Sequence, residues 1–302
     1  MPQRVYGAHT RTCGMAGQCF PSEENRAALT CHAALAATLT DERELMLIFC
    51  YTLLYFLRFM AGACVFSFLG VVAYRLPKGE SFIKGRSYCP SCGHTLNALD
   101  LVPVFSWLAL HGRCRHCGAK IGARYLAVDA LGGAVSVLSC ISFGGENART
   151  LWAVAFCGVL LVVALMDIDT LEILDRMHVI LLVLGVIAVF LFPETAFSSR
   201  LLGFVIVSVP MLLVALLVPG GFGGGDIKLM AVCGFALGAR LTVVAAFFGV
   251  LTGGLYGVYL LAAKRAGRKT QFAFGPFLCA GLALSLFFGR AIAAWYLGLL
   301  HI

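Results

Sequence analysis

Residues 220–230 read Gly220-Gly221-Phe222-Gly223-Gly224-Gly225-Asp226-Ile227-Lys228-Leu229-Met230. Three consecutive glycines run into a carboxylate, and an apolar segment begins at once. The flanking sequence is long and oily, so an ionisable group here is expensive and marks a functional site. Gly223, Gly224 and Gly225 let a backbone or a substrate approach closely. A carboxylate at a membrane needs a partner, and Asp167 in ALMDIDTLEILD (164–175) is the best one. We therefore expect Asp167 and Asp226 to form one site.

The rest of the chain explains why the surroundings are apolar. Of 302 residues, 60% are hydrophobic and 13% charged, against about 25% charged in soluble domains. A mean hydropathy of +0.91 indicates a polytopic membrane protein. The net charge of +8 is concentrated in particular loops. That distribution reads as membrane topology and not as nucleic-acid binding. Thirteen cysteines, four of them in CxxC pairs, point to a metal before disulfides.

Residues 1–44 are mixed and polar, hold Cys13, Cys19 and Cys31, and lack a cleavable signal pattern. They read as a weakly ordered extension, or as sequence upstream of a start at Met46. The first span follows at 45–74 and ends in Tyr74-Arg75-Leu76-Pro77, with Arg58 inside it. A polar loop occupies 75–124. Further apolar segments run at about 125–143, 150–166, 177–192, 201–218, 227–239, 241–262 and 275–298. The expected fold is thus an all-α polytopic membrane protein of about eight transmembrane helices, with its core in 125–302. The 227–239 piece is shorter than the roughly 20 residues that cross a bilayer and has the length of a half-span.

Loop 75–124 carries Arg75, Lys78, Lys84, Arg86, Arg113, Arg115, Lys120 and Arg124, and loop 263–270 carries Lys264, Arg265, Arg268 and Lys269. Loops 144–149 and 193–200 hold one Arg each, and Arg240 stands alone between spans. The positive-inside rule puts the basic loops in the cytoplasm. With eight spans, 167–176 and 219–226 then fall on the same side.

Cys89-Pro-Ser-Cys92 and Cys114-Arg-His-Cys117 are separated by 21 residues, one beyond the usual zinc-ribbon range. Two such knuckles present four thiolates to one tetrahedral ion, and Gly93 and Gly118 suit their turns. Four cysteines close the site, so the zinc is structural, and His94, His111 and His116 read as neighbours instead of ligands. The acids Asp169, Glu172 and Asp175 read as a solvated turn. Asp226 also suits a helix N-cap, and Lys228 an interfacial anchor. Two carboxylates in reach of one another share a proton, one taking a proton from water and the other donating to a carbonyl oxygen. GxSxG, HExxH and Walker patterns are absent from the sequence. Cys64, Cys140, Cys157, Cys233 and Cys279 read as packing residues, and Gly249, Gly253 and Gly257 as a helix seam.

Together these motifs resemble the type IV prepilin peptidase family, from about Gly62 to the C-terminus. The resemblance is carried by YRLP with Ser81, CPSC, DLVPVFSWLALHGRCRHCG, ARYLAVD, the Asp167 segment, GGGDIKLM and Phe274-Gly275-Pro276-Phe277. It implies a GxGD-type membrane aspartyl protease with Asp167 and Asp226 as the catalytic pair, Gly223–Gly225 as the active-site loop and Cys89, Cys92, Cys114 and Cys117 as zinc ligands. It also implies location in the inner (cytoplasmic) membrane and cleavage of prepilin or pseudopilin leaders, after Gly, on the cytoplasmic side. N-methylation with S-adenosylmethionine follows in the family, which serves type IV pili and type II secretion. Leu174 stands where the family has Pro, Phe66 and Gly70 depart from its Gly-Ser-Phe-Leu-Asn motif, and Asp129 replaces a common Glu. The competing readings are a peptidase without methylation, a non-catalytic scaffold of a secretion system, and a carboxylate cation relay. The relay needs acids at mid-bilayer and leaves the zinc loop without a role.

Overall fold

The structure is a computed structural model describing residues 23–81, 83, 85–218, 222–263 and 272–299, with side chains from residue 43 onward. The basic residues Lys84, Lys264, Arg265, Arg268 and Lys269, the glycines 220 and 221, Cys13, Cys19, Cys31 and most of the 1–44 extension fall outside what is described at side-chain level. The chain divides into two units, residues 1–56 and 57–302. The longest helix, α1 (Glu23–Arg75), continues through the boundary.

From residue 57 onward the fold is a helical bundle. After α1 comes the polar loop, with two single 3-10 turns (Leu76–Lys78 and Ala98–Leu101) and the short helix α2 (Phe105–Ala109). The bundle continues with α3 (Ala123–Ser142), α4 (Asn147–Thr170), α5 (Asp175–Leu191), α6 (Phe197–Ile206), α7 (Ser208–Leu217), α8 (Gly224–Leu237), α9 (Ala239–Ala262) and α10 (Gly275–Leu299). Each apolar segment expected from the sequence is helical. The described residues contain no strand, only isolated bridges at Tyr88–Thr95 and Arg113–Lys120.

Among the described residues, six helices are long and apolar enough to cross a membrane: 43–78, α3, α4, α6–α7 taken together, α9 and α10. The other two are shorter. At 1.5 Å per residue, α5 extends about 26 Å and α8 about 21 Å. The expected eight spans thus resolve into six long helices and two short ones, of which α8 matches the half-span length read from 227–239.

Helix α4 is the most enclosed of the six. Its Ala153, Phe156, Leu160, Val163 and Met166 join Phe66 of α1, Leu181 of α5, Leu229 and Met230 of α8, and Leu278 and Leu282 of α10 in one core. Small residues set how closely the helices cross. A Cβ on Gly62 would lie 2.3 Å from the Gly132 carbonyl, and one on Gly203 would lie 2.3 Å from that of Gly234. Gly249 and Gly253 abut Leu278 and Phe274, and Gly257 approaches Phe272. That is the packing seam read from their spacing. Many Leu, Val, Ile and Phe side chains outside the core remain exposed, as a lipid-facing surface requires.

Arg200 is 1% exposed and donates to the carbonyls of Ala188 (2.9 Å), Phe192 (3.0 Å) and Ala236 (2.7 Å). These carbonyls lie at the C-terminal ends of α5 and α8; those of Ala188 and Phe192 also accept the N–H groups of Phe192 and Thr195. A helix of α8's length ends inside the bundle, and this guanidinium replaces the water its end would need. Leu174 precedes α5 with φ −66, the value proline would impose, so α5 starts where a proline would start it.

Candidate active site and candidate metal centre

The two acids arrive from opposite ends of their helices. Asp167 lies in the last turn of α4, and Asp226 in the first turn of α8. Both are buried, at 6% and 8% exposure. Asp226 is not the N-cap that its neighbours suggested. The cap is Gly223 in extended backbone (φ −70, ψ 144), with Gly224 and Gly225 completing the start of the helix. Asp226 therefore stands among the free N–H groups and the positive end of the helix dipole, where a carboxylate is favoured. Gly223 lies against the Asp226 carboxylate, where a Cβ would fall 3.3 Å from Oδ2.

Asp167 Oδ2 accepts the Gly275 N–H at 2.8 Å, from the first residue of α10. The charge on Asp167 acts on Asp226, and both act on the Cys279 thiol one turn into α10. The two acids and the start of α10 thus share one neighbourhood. Asp226 Oδ1 is buried without a hydrogen-bond partner.

Glycines make this convergence possible. A Cβ on Gly225 would lie 3.1 Å from Ile173, in the connection that follows Asp167. A Cβ on Gly275 would lie 2.8 Å from Asp167 Oδ2. Beside Asp167 opens a cleft of about 610 Å³ lined by Asp169, Leu171, Tyr256, Phe272, Pro276 and Phe277, among others.

The other acids are engaged individually. Asp169 forms a two-pronged ion pair with Arg124 at 2.7 and 2.8 Å, joining the start of α3 to the end of α4. Asp175 accepts Lys228 Nζ at 2.7 Å, so Lys228 is a helix-to-helix link instead of a simple anchor. Glu172 is exposed. Asp129, buried in α3, accepts the Val104 N–H at 3.3 Å and ties the polar loop to the bundle.

The four cysteines come together as their spacing implies. Their sulfurs all lie within 4.8 Å of one another, and Cys89 Sγ is 3.8 Å from Cys117 Sγ. Tetrahedral Zn–S bonds of about 2.3 Å require sulfur–sulfur distances of ~3.8 Å. The two knuckles are near copies. Gly93 N–H bonds Cys89 O (2.8 Å) and Gly118 N–H bonds Cys114 O (3.0 Å). Both glycines take φ +70, a conformation that disfavours side chains. Backbone N–H groups of Cys92 and Ser91 pull the Cys89 thiol down to about 6. At Cys117 the Ala119 N–H also lowers the thiol, but desolvation and the neighbouring sulfurs carry it up to about 11. The set fits a divalent ion such as zinc, which would hold the loop's two halves together. His94 and His116 lie with ring centroids 3.5 Å apart at a tilt of 37°, outside the ligand set of the cluster.

Sequence reasoning gave no role to His178 or Arg200, and it did not identify the Gly275 N–H as a partner of Asp167. Their partners are main-chain atoms of distant segments, which no side-chain motif encodes. The Gly275-Pro276 pair, with Pro suited to a helix's first turn, was the one available signal.

Residues 60–143 match the Bacterial Peptidase A24 N-terminal domain, and residues 154–258 the Type IV leader peptidase family. The chain is 33% identical over 239 residues to a prepilin leader peptidase/N-methyltransferase of Bacillus subtilis, covering 79% of this chain and 96% of that relative. Proteins of the same name from Burkholderia pseudomallei (34% identity, 71% of each chain) and Aeromonas salmonicida (29% identity, 81% of this chain and 94% of the relative) are also similar. No solved structure matches the chain.

Proposed function

The chain belongs to the type IV leader peptidase family, and from that premise we propose how its own residues remove the leader of a prepilin-like substrate. It is a multi-pass membrane aspartyl endopeptidase that also N-methylates the amine it exposes. Asp167 and Asp226 are the catalytic pair. The observation carrying this reading is the partnerless Asp226 Oδ1 beside an Asp167 whose own Oδ2 is already held by Gly275.

Two carboxylates that meet at one site hold one proton between them. The ionised member accepts a proton from the attacking water, and the protonated member donates to the carbonyl oxygen of the scissile amide. The tetrahedral gem-diol then collapses. The acid that took the proton from water passes it to the leaving nitrogen as the C–N bond breaks. The other acid takes back a proton from a gem-diol hydroxyl, so the pair again holds one proton. No covalent enzyme intermediate is involved. The Gly223–Gly225 start of α8 is narrow enough for an extended peptide to lie against Asp226. The adjoining cleft, with Tyr256, Phe272 and Phe277, suits the apolar stretch that follows the leader.

The basic residues of loop 75–124 support a cytoplasmic position for this end of the bundle. The cysteine cluster binds zinc as a structural ion. S-adenosylmethionine enters as the methyl-donor substrate of the second step. The test is co-expression of the full chain with a candidate prepilin, comparing wild type with Asp167→Asn and Asp226→Asn. Accumulated but uncleaved substrate in both variants is expected, and full cleavage by either one refutes the pair. Mass measurement of the mature N-terminus decides methylation, since retention of the second activity adds one methyl group.

A further inference from the structure

His178 lies in the first turn of α5, is 6% exposed, and has no part in the chemistry described above. Its Nε2 is 3.0 Å from the carbonyl oxygen of Gly225, the residue before Asp226. A carbonyl only accepts, so the ring carries its proton on Nε2 and donates. The other nitrogen, Nδ1, is buried without a hydrogen-bond partner and faces Asp175 Oδ1 at 3.6 Å. The same Asp175 oxygen takes Lys228 Nζ at 2.7 Å. Gly225 and Lys228 bracket Asp226 in the first turn of α8. That turn is therefore held from α5 at two points, one on each side of the acid.

This hold compensates for a specific weakness. A glycine-rich helix start has no side chains of its own to pack and loses much conformational freedom on ordering. Gly223 caps α8 without any side-chain hydrogen bond. The imidazole supplies from a neighbouring helix what the Gly223–Gly225 run lacks.

We propose that His178 is a positioning residue for Asp226, acting through the Gly225 carbonyl, with Asp175 and Lys228 closing the other side of the clamp. The proposal rests on Asp226 being catalytic. It predicts that loss of the Nε2 donor lowers turnover more than substrate affinity, because the substrate touches Asp226 and not the imidazole.

The test uses the full chain in detergent or native membranes and a leader–reporter fusion with Gly before an apolar segment. His178→Leu fills similar space without a donor, and His178→Gln keeps an N–H able to reach Gly225. His178→Leu is expected to lower kcat on the order of ten- to a hundred-fold with KM little changed, as for a lost hydrogen bond that displaces a reacting group. His178→Gln is expected to recover most of that loss. Equal activity of the Leu and Gln variants, or a change confined to KM, overturns the inference. Equal melting temperatures of the two variants exclude unfolding as the cause of a difference, and Lys228→Met provides a second arm, since it removes the other hold while His178 stays. A fall in kcat at unchanged KM is expected there too, and wild-type turnover would count against the clamp. Asp226→Asn is run alongside. If it still cleaves, the catalytic assignment fails. If it is inactive while His178→Leu is unimpaired, only the positioning role fails.

Discussion

The Gly275 N–H donates to Asp167 Oδ2 at 2.8 Å, joining the first residue of α10 to the last turn of α4 across 108 positions of chain. This bond fixes which oxygen of Asp167 is occupied by the backbone. A methyl group at position 275 would come within 2.8 Å of that same oxygen. Gly275→Ala is therefore expected to push the carboxylate aside and lower leader cleavage by about a hundred-fold, the scale of a 1 Å misplacement. The helix itself should tolerate alanine. Reporter cleavage and melting temperature, measured together, check this. Undiminished cleavage would show that the bond is not needed.

Asp167 and Asp169 stand two residues apart with opposite surroundings. Asp169 is partly exposed and already paired with Arg124, whereas Asp167 is buried. Asp169→Asn is expected to keep cleavage within about threefold, consistent with the ~1 kcal/mol or less that exposed ion pairs contribute. Asp167→Asn should abolish cleavage, and adding Asp226→Asn to it should cost little more, because the pair acts as a unit. A reversal of the two single-variant results would move the catalytic role to Asp169.

Metal binding by the four-cysteine cluster should rise with pH. Thiolates are the ligands, so bound protons compete with the ion. Cys89, lowered to about 6 by the Cys92 and Ser91 N–H groups, is ionised above that pH and becomes protonated as pH falls through it. Cys117, raised to about 11 despite the Ala119 N–H, gives up its proton only when the ion arrives. Zinc uptake at neutral pH is thus expected to release protons, and affinity to fall steeply below about pH 6. One zinc per chain in the wild type, and loss of it in Cys89→Ser or Cys117→Ser, is the companion measurement. A pH-independent affinity would exclude thiolate ligation.

Arg200 has a purely structural assignment. Replacing it with Met removes a charged donor from the carbonyls of Ala188, Phe192 and Ala236, of which the first two keep a backbone N–H. At about 1.5–3 kcal/mol for a hydrogen bond from a charged donor, the loss is large for any membrane protein. Arg200→Met is expected to lower the melting temperature in detergent sharply, with Arg200→Lys intermediate. Wild-type stability in the Met variant would show that water or lipid replaces the guanidinium.

Much of the molecule was legible along the chain because its signals are local or repetitive. Apolar length marked every helix of the bundle, since a segment in lipid must satisfy its own backbone. The two CxxC knuckles announced their cluster because the ligands are side chains at fixed spacing. Asp167 and Asp226 stood out because a carboxylate beside an apolar run is costly, and the structure buries both.

Tertiary structure decided what depends on pairing between distant segments. Asp226 sits in the first turn of α8 and not at its cap, since Gly223 takes the capping conformation first. Lys228 meets Asp175, Gly275 meets Asp167, His178 meets Gly225, and Arg200 closes the ends of α5 and α8. In these contacts, apart from Lys228 with Asp175, one partner is a main-chain atom that every residue possesses. Composition and spacing identify which side chains are costly in a membrane, but only the folded backbone determines which N–H or carbonyl lies close enough to relieve that cost.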